Sequence, residues 1–259
     1  MPYRPAALAA ALAIALPIHA EDVPVFFGET IVVTPTRFQD SASDRAANVT
    51  VITRAELERN PAQTLPEILQ DYAGIGMRDL FGNNAANSTV DMRGFGAAAD
   101  QNTLVLVDGV RQNDIDLSGV VWTSIPLSAV ERIEIVRGGN SVLHGSGAVG
   151  GVINIITRSP IGKPAEAGFG IRAGSYATRD IQVFGSMAGD QAGLRLTAKH
   201  YESDGYRDNN RNEQDSFYGD ARWKLSQGEL ILKFGADTQD TRLPGQRFVQ
   251  PSIGLNELT

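Results

Sequence analysis

Two rhythms of apolar and polar residues divide this chain. From Ala165 onward they alternate one by one, in segments of about ten residues separated by turns. Phe169, Ile171 and Ala173 share one face of such a segment. Ile181, Val183 and Gly185 oppose Gln182, Phe184 and Ser186, and Leu194, Leu196 and Ala198 oppose Arg195, Thr197 and Lys199. The same alternation runs from Phe217 to Leu225 and from Leu230 to Asp237. Gly189-Asp190-Gln191 and Ser226-Gln227-Gly228 are short connections, whereas Ser203 to Asp215 reads as a long polar loop. Short turns on one side, long loops on the other and a period of two fit an outer-membrane barrel or a soluble antiparallel sandwich.

Before Ala165 the pattern is mixed. Asn48 to Ile52, Thr89 to Arg93, Thr103 to Val107 and Val130 to Val136 read as strands, with turns at Asp108-Gly109 and Gly138-Gly139. Thr53-Arg54-Ala55-Glu56 and Thr64-Leu65-Pro66-Glu67 carry capping-box spacing and predict short helices over 54–59 and 65–72. Gly74 and Gly76 are expected to end the second helix.

Gly145-Ser146-Gly147-Ala148-Val149-Gly150 fits the dinucleotide-binding G-x-G-x-x-G. That fingerprint needs a helix directly after its glycines, whose N-terminus holds the pyrophosphate. Here Gly151 to Thr157 is rich in β-branched residues and reads as a strand. The glycines are therefore read as a tight chain reversal with close backbone packing.

At the N-terminus, Arg4, the apolar run Ala6 to Leu16 and the small residue Ala20 ahead of Glu21 form a signal-peptide pattern over residues 1–20. Residues 21–36 form a polar arm with one β-prone stretch, Ile31-Val32-Val33-Thr34, stopped by Pro35. Such a stretch is either a first edge strand or a peptide that adds a strand to a partner's sheet.

The hydrophobic share of 42% argues for a folded protein, and the net charge of -7 argues against nucleic acid as a partner. With no cysteine, thiolate metal sites and thiol catalysis are excluded. His19, His144 and His200 are scattered. Asp108, Asp114 and Asp116 lack the full spacing of a calcium loop. We expect no metal, no cofactor and no enzymatic activity.

Several motifs resemble those of TonB-dependent outer-membrane receptors. They are ETIVVTPTR (29–37), TLPEILQDYAGI (64–75), VDMRGFG (90–96), TLVLVDGVRQND (103–114) and IPLSAVERIEIVRGGNSVLHGSGAVGGVINIITR (125–158). The resemblance implies an α+β plug domain, a small mixed sheet with short helices, over residues 37–158. Antiparallel transmembrane β-barrel strands should follow over 165–259, the barrel remaining incomplete. It implies uptake of a scarce nutrient, an iron-siderophore or a cobalamin-like molecule, powered through TonB and its inner-membrane complex. Outer-membrane lipid would surround the strands. Glu29, Thr30, Ile31, Val32, Val33 and Thr34 would be the TonB-binding segment. Arg93 and Arg137 match plug arginines that pair with barrel carboxylates in many relatives, and Glu131 would belong to the same network. Phe81, Asn83, Asn84 and Trp122 fall in segments that are candidates for the ligand-facing apex, Phe81 and Trp122 being equally readable as packing groups.

Plugged transporter barrels have about 22 strands. The chain after Ala165 has room for about five, and five strands cannot close without an open edge. The chain is thus expected to be the front part of a receptor. The alternatives are a soluble periplasmic plug-type binding or signalling module, or a non-functional receptor fragment.

Overall fold

The computed structural model describes residues 31–32, 40–41, 48–79, 88–114, 119–139, 141–245, 249–250 and 254–255. Ile31–Val32 (β1) pairs antiparallel with Asp40–Ser41 (β2). The folded body starts at Asn48–Thr53 (β3) and runs directly into the helix Arg54–Arg59 (α1). Thr53 caps that helix: its hydroxyl accepts from the Glu56 N–H, while the Glu56 carboxylate accepts from the Thr53 N–H at 2.7 Å. Thr64 and Glu67 form the same reciprocal cap on Leu65–Gln70 (α2), where Pro66 sits in the first turn and needs no partner. Both helices stand where the capping boxes put them, α2 stopping two residues before the expected end. Gly74, at φ +79°, makes the exit, whereas Gly76 belongs to the next strand, Ile75–Asp79 (β4).

That strand forms a hairpin with Ser88–Met92 (β5). A short helix, Ala99–Asn102 (α3), leads into Thr103–Val107 (β6), which turns through Asp108-Gly109 into Val110–Arg111 (β7). Val130–Arg137 (β8) is followed by a four-residue helical turn, Ser141–His144 (α4), and by Gly151–Thr157 (β9). The five strands lie in the order β3-β8-β9-β6-β7, with β6 and β9 parallel and the other pairs antiparallel.

Both faces of this sheet are covered, so β6 and β9 are buried along nearly their whole length and rich in Val, Leu and Ile rather than alternating. Ile52, Leu57, Ile68, Leu69, Ile133, Ile135, Ile153 and Ile155 share the larger core. Leu104, Leu106, Val136, Ala148 and Val152 form the smaller one. The glycine-rich stretch runs into strand β9, as its β-branched residues require. A side chain at Gly151 would lie 2.6 Å from the Val136 carbonyl oxygen, and one at Gly150 would lie 2.8 Å from that of Met92. These glycines admit close backbone approach and hold no phosphate-binding helix.

After the connection 158–165 come five strands in sequential antiparallel order. They are Glu166–Ala173 (β10), Arg179–Ala188 (β11), Ala192–Ser203 (β12), Asn212–Lys224 (β13) and Glu229–Thr241 (β14). A last small hairpin pairs Val249–Gln250 (β15) with Gly254–Leu255 (β16). The α+β plug and the unclosed antiparallel wall match the expected architecture. The long loop is shorter than expected, because β12 runs to Ser203 and β13 begins at Asn212. Among the described residues no helix is long and apolar enough to cross a membrane, which does not bear on strands.

The register of the wall sorts its side chains cleanly. Phe169, Val183, Ala198, Phe217 and Ala236 lie in one cross-strand row, and Leu194, Ala221 and Leu232 lie in another. All of these point to the outer face. The alternate positions, among them Asp180, Arg195, Thr197, Gln214, Asp220 and Arg222, are buried on the inner face, where Asp220 and Arg222 meet Thr157 of the plug. A soluble sandwich would place the apolar set inside; this sheet places the polar set there.

Candidate functional site: the seam between plug and wall

The seam begins at a hairpin turn. Asp108 and Gly109 both adopt left-handed φ, +47° and +82°. A two-residue turn of this kind suits Asp-Gly, since aspartate tolerates the left-handed region and glycine adopts it freely. The turn is stapled to the end of β9. The Asp108 N–H donates to the Ile155 carbonyl at 2.9 Å, and the Gly109 N–H to Asn154 Oδ1 at 3.2 Å. The Thr157 N–H donates to Asp108 Oδ1 at 2.8 Å, and the Thr157 hydroxyl lies 2.5 Å from Oδ2.

The wall meets this turn with charges of both signs. Asp220 and Arg222, two residues apart on β13, point to the same inner face. The Arg222 guanidinium donates to both Asp220 oxygens, at 2.8 and 2.9 Å. Its Nη2 also reaches the Thr157 hydroxyl oxygen at 2.5 Å and lies 3.5 Å from Asp108 Oδ2. From β14, Lys233 Nζ pairs with Asp108 and lies 3.0 Å from the Thr157 hydroxyl. The side chains of Asp220, Arg222, Asp108 and Lys233 are only 1%, 6%, 11% and 22% exposed. Two cations face two carboxylates, with the partly exposed Glu229 3.7 Å from Arg222. Buried charge is tolerable only in such a paired and hydrogen-bonded arrangement.

A second string of charges runs along the plug exit. Glu131 lies 3.6 Å from Arg158 and 3.7 Å from Lys163. Arg158 is 3.3 Å from Glu166 at the start of β10, and Glu166 pairs with the buried Arg195 of β12. The Arg195 guanidinium also lies over the Phe184 ring, 5.4 Å from its centre. Ser128 adds a contact to Gln182. Glu131, expected in a plug–wall lock, is thereby connected to the wall through Arg158.

The two arginines expected beside it are placed differently. Arg137 serves the plug: its Nε donates to the Ala73 carbonyl at 2.9 Å, and its Nη1 to the Thr50 hydroxyl at 2.6 Å. Arg93 is exposed at φ +74°, and no ion pair joins it to a described wall strand. Trp122 is 4% exposed, and its indole N–H donates to the Ser88 carbonyl at 3.0 Å. It is a packing group of the larger core, and it borders a cleft of about 280 Å³ between plug and wall, shared with Arg54, Gln63, Arg172 and Lys199. Phe81, Asn83 and Asn84 lie outside the described residues, as do Glu29, Thr30, Val33, Thr34 and the expected signal peptide 1–20. Ile31 and Val32 do form a strand, paired within the chain to Ser41 and Asp40.

Two plug carboxylates have shifted titration. Burial raises Asp100, against the opposing hydrogen bond from Thr89. The Thr53 N–H and hydroxyl hold Glu56 below the usual carboxylate range. Among the described residues no cluster of three or more acids and histidines is arranged to hold a metal ion. Asp108, weighed above as a calcium ligand, is engaged by Thr157, Arg222 and Lys233.

A mixed-sheet plug joined by polar contacts to the inner face of an apolar-out antiparallel sheet is the build of a plugged outer-membrane barrel. Residues 41–152 match the family described as the TonB-dependent Receptor Plug Domain. The chain is 37% identical over 178 residues to the vitamin B12 transporter of Vibrio cholerae, a match covering 68% of this chain and 28% of that protein. The structure resembles the ferric-catecholate import receptor of E. coli at 25% identity and a TM-score of 0.61, over 79% of this chain and 29% of that one. It resembles the pyoverdine outer membrane receptor of Pseudomonas aeruginosa in fold, at 18% identity and a TM-score of 0.68, over 88% of this chain and 33% of that one. The chain belongs to the TonB-dependent receptors, carrying their plug domain and barrel-type strands. It spans less than a third of the length of the transporter it matches.

Proposed function

We propose that this chain is part of an outer-membrane receptor that takes up a scarce nutrient, an iron-siderophore or a cobalamin-like molecule, with energy delivered through TonB. The observation that carries this reading is the polarity of the wall: apolar side chains outside, polar ones inside against a plug. Transport proteins for vitamin B12 and ferric catecholate are among its relatives, which supports both nutrient classes. The segment from Glu29 to Thr34 is the strand offered to TonB, where main-chain hydrogen bonds supply affinity. Arg93, Arg137 and Glu131 are assigned to the lock with the wall, the two arginines toward carboxylates beyond the described strands, and Phe81, Asn83, Asn84 and Trp122 to the ligand side, Trp122 from its place at the border of the plug core.

The test uses source cells producing the receptor from its own gene, fractionated and blotted with an antibody against the plug. Outer-membrane residence is expected, together with uptake of labelled cobalamin or ferric siderophore. Val32→Pro should abolish uptake and leave surface binding of the same ligand intact. A protein found only in the soluble periplasm would overturn the reading in favour of a plug-type binding module.

A further inference from the structure

The five-residue cluster at the seam asks for more than a turn and a surface pair. An aspartate at position 108 satisfies the hairpin, but asparagine suits a left-handed turn position equally well. The turn alone therefore does not explain why a carboxylate stands there. The wall does: Lys233 and Arg222 approach Asp108 Oδ2, and both come from inner-face positions where a cation is otherwise costly. Asp220 provides the other negative charge, and the Thr157 hydroxyl sits between them, 3.0 Å from Asp220 Oδ2. The plug gives one charge and the buried part of the wall three, two against two, with the partly exposed Glu229 at the rim 3.7 Å from Arg222.

We propose that Asp108, Thr157, Asp220, Arg222 and Lys233 form a clasp that fixes the β6–β9 edge of the plug to the wall through charge balance rather than through any single pair. Its place in the chain supports this. Thr157 closes β9, the last plug strand before the wall begins, and Asp108 holds Thr157 through its N–H. The clasp therefore ties the parallel pair β6 and β9 at the end from which the chain leaves for β10. It sits near the short turns, since Arg222 and Asp220 lie within the last five residues of β13. The inference is independent of which nutrient the receptor takes.

Charge balance makes a specific prediction. Asp108→Asn keeps the turn and an acceptor for the Thr157 N–H, and leaves two cations against Asp220. Lys233→Met leaves the two buried carboxylates, with Glu229 at the rim, against Arg222. The double variant restores one against one among the buried charges, Glu229 being the same in every variant. With the whole receptor in outer-membrane vesicles, amide hydrogen exchange is read at β6 and β9. Each single variant should accelerate exchange there by about tenfold or more, and the double variant should return to within about threefold of the parent. Exchange in β10 to β12 should stay unchanged. Single variants that exchange like the parent, or a double variant at least as fast as the worse single one, would overturn the clasp. If a single variant fails to accumulate, accumulation of the double variant decides in the same way: recovery supports charge balance, and no recovery sinks it.

Discussion

Ile133, Ile135, Ile153 and Ile155 are wholly buried in the plug, whereas Phe169, Ile171, Leu230 and Leu232 of the wall are more than half exposed. The polar residues run the other way. Asn212, Gln214 and Asp220 of the wall are at most 2% exposed. One chain therefore holds two opposite solutions to the same problem. The plug hides apolar surface from water and draws its cohesion from that. The wall keeps apolar surface outward, as a sheet built to face hydrocarbon does, and turns its polar side toward the plug. The difference teaches that hydrophobicity alone does not place a residue; the solvent on each face does.

The comparison breaks most easily in the plug core. Ile153→Ala removes a side chain packed in the central strand and should cost about 2–5 kcal/mol of plug stability, read by urea unfolding followed through plug fluorescence. A change below about 1 kcal/mol would mean that the plug is held by the wall rather than by its own core. Leu232→Arg tests the other region. In a bilayer it should cost about 2–4 kcal/mol of wall stability, measured by unfolding from lipid vesicles. The same substitution at Val110, 63% exposed on the plug, should stay within about 0.5 kcal/mol. Equal effects at the two sites would remove the distinction between lipid-facing and water-facing surface.

The smallest effect sharpens the account of the plug alone. Thr53→Ala removes half of a capping box and should cost about 0.5–2 kcal/mol. The Thr53 N–H and hydroxyl keep the Glu56 carboxyl below its ordinary value of 4.5. A depressed carboxyl contributes stability that is present above that value and lost as pH falls through the lower folded one. Thermal melts from pH 7 to 3 should therefore show a smaller acid loss in Thr53→Ala than in the parent. An identical acid loss would show that the cap does not control Glu56.

Much of this was legible in the chain. Thr53 with Glu56 and Thr64 with Glu67 placed two helices because a cap is a local device, complete within four residues. The outer and inner faces of the wall followed from alternation, again a local signal. The polar run after Ser203 reads as loop, yet β13 begins within it at Asn212. His200 pairs with Asp215 at 2.8 Å and Glu202 stands opposite Glu213, so the strands continue past the apolar band with polar residues outside. The period of two, carried on by Tyr201 and Ser203 inside, was the signal to follow. The seam was harder to see. Asp108 meets Lys233 across 125 residues, and no local pattern announces that encounter. The clue lay in Asp220, Arg222 and Lys233, charges on the strand face that was not to meet lipid. The hydrogen bonds of Arg137 to Ala73 and Thr50, 64 and 87 residues away, are likewise announced by no local pattern.

The strict alternation of the wall has a consequence for assembly. If β13 slid by one residue against β12, Phe217 and Trp223 would turn inward while Asp220 and Arg222 turned toward lipid. Backbone hydrogen bonds alone do not forbid such a slip. The plug does, because Asp108 and Thr157 meet Asp220, Arg222 and Lys233 in one alignment only. The plug thus acts as a gauge as well as a stopper: it reads the register of the neighbouring strands, and a misaligned sheet finds nothing there to pair with.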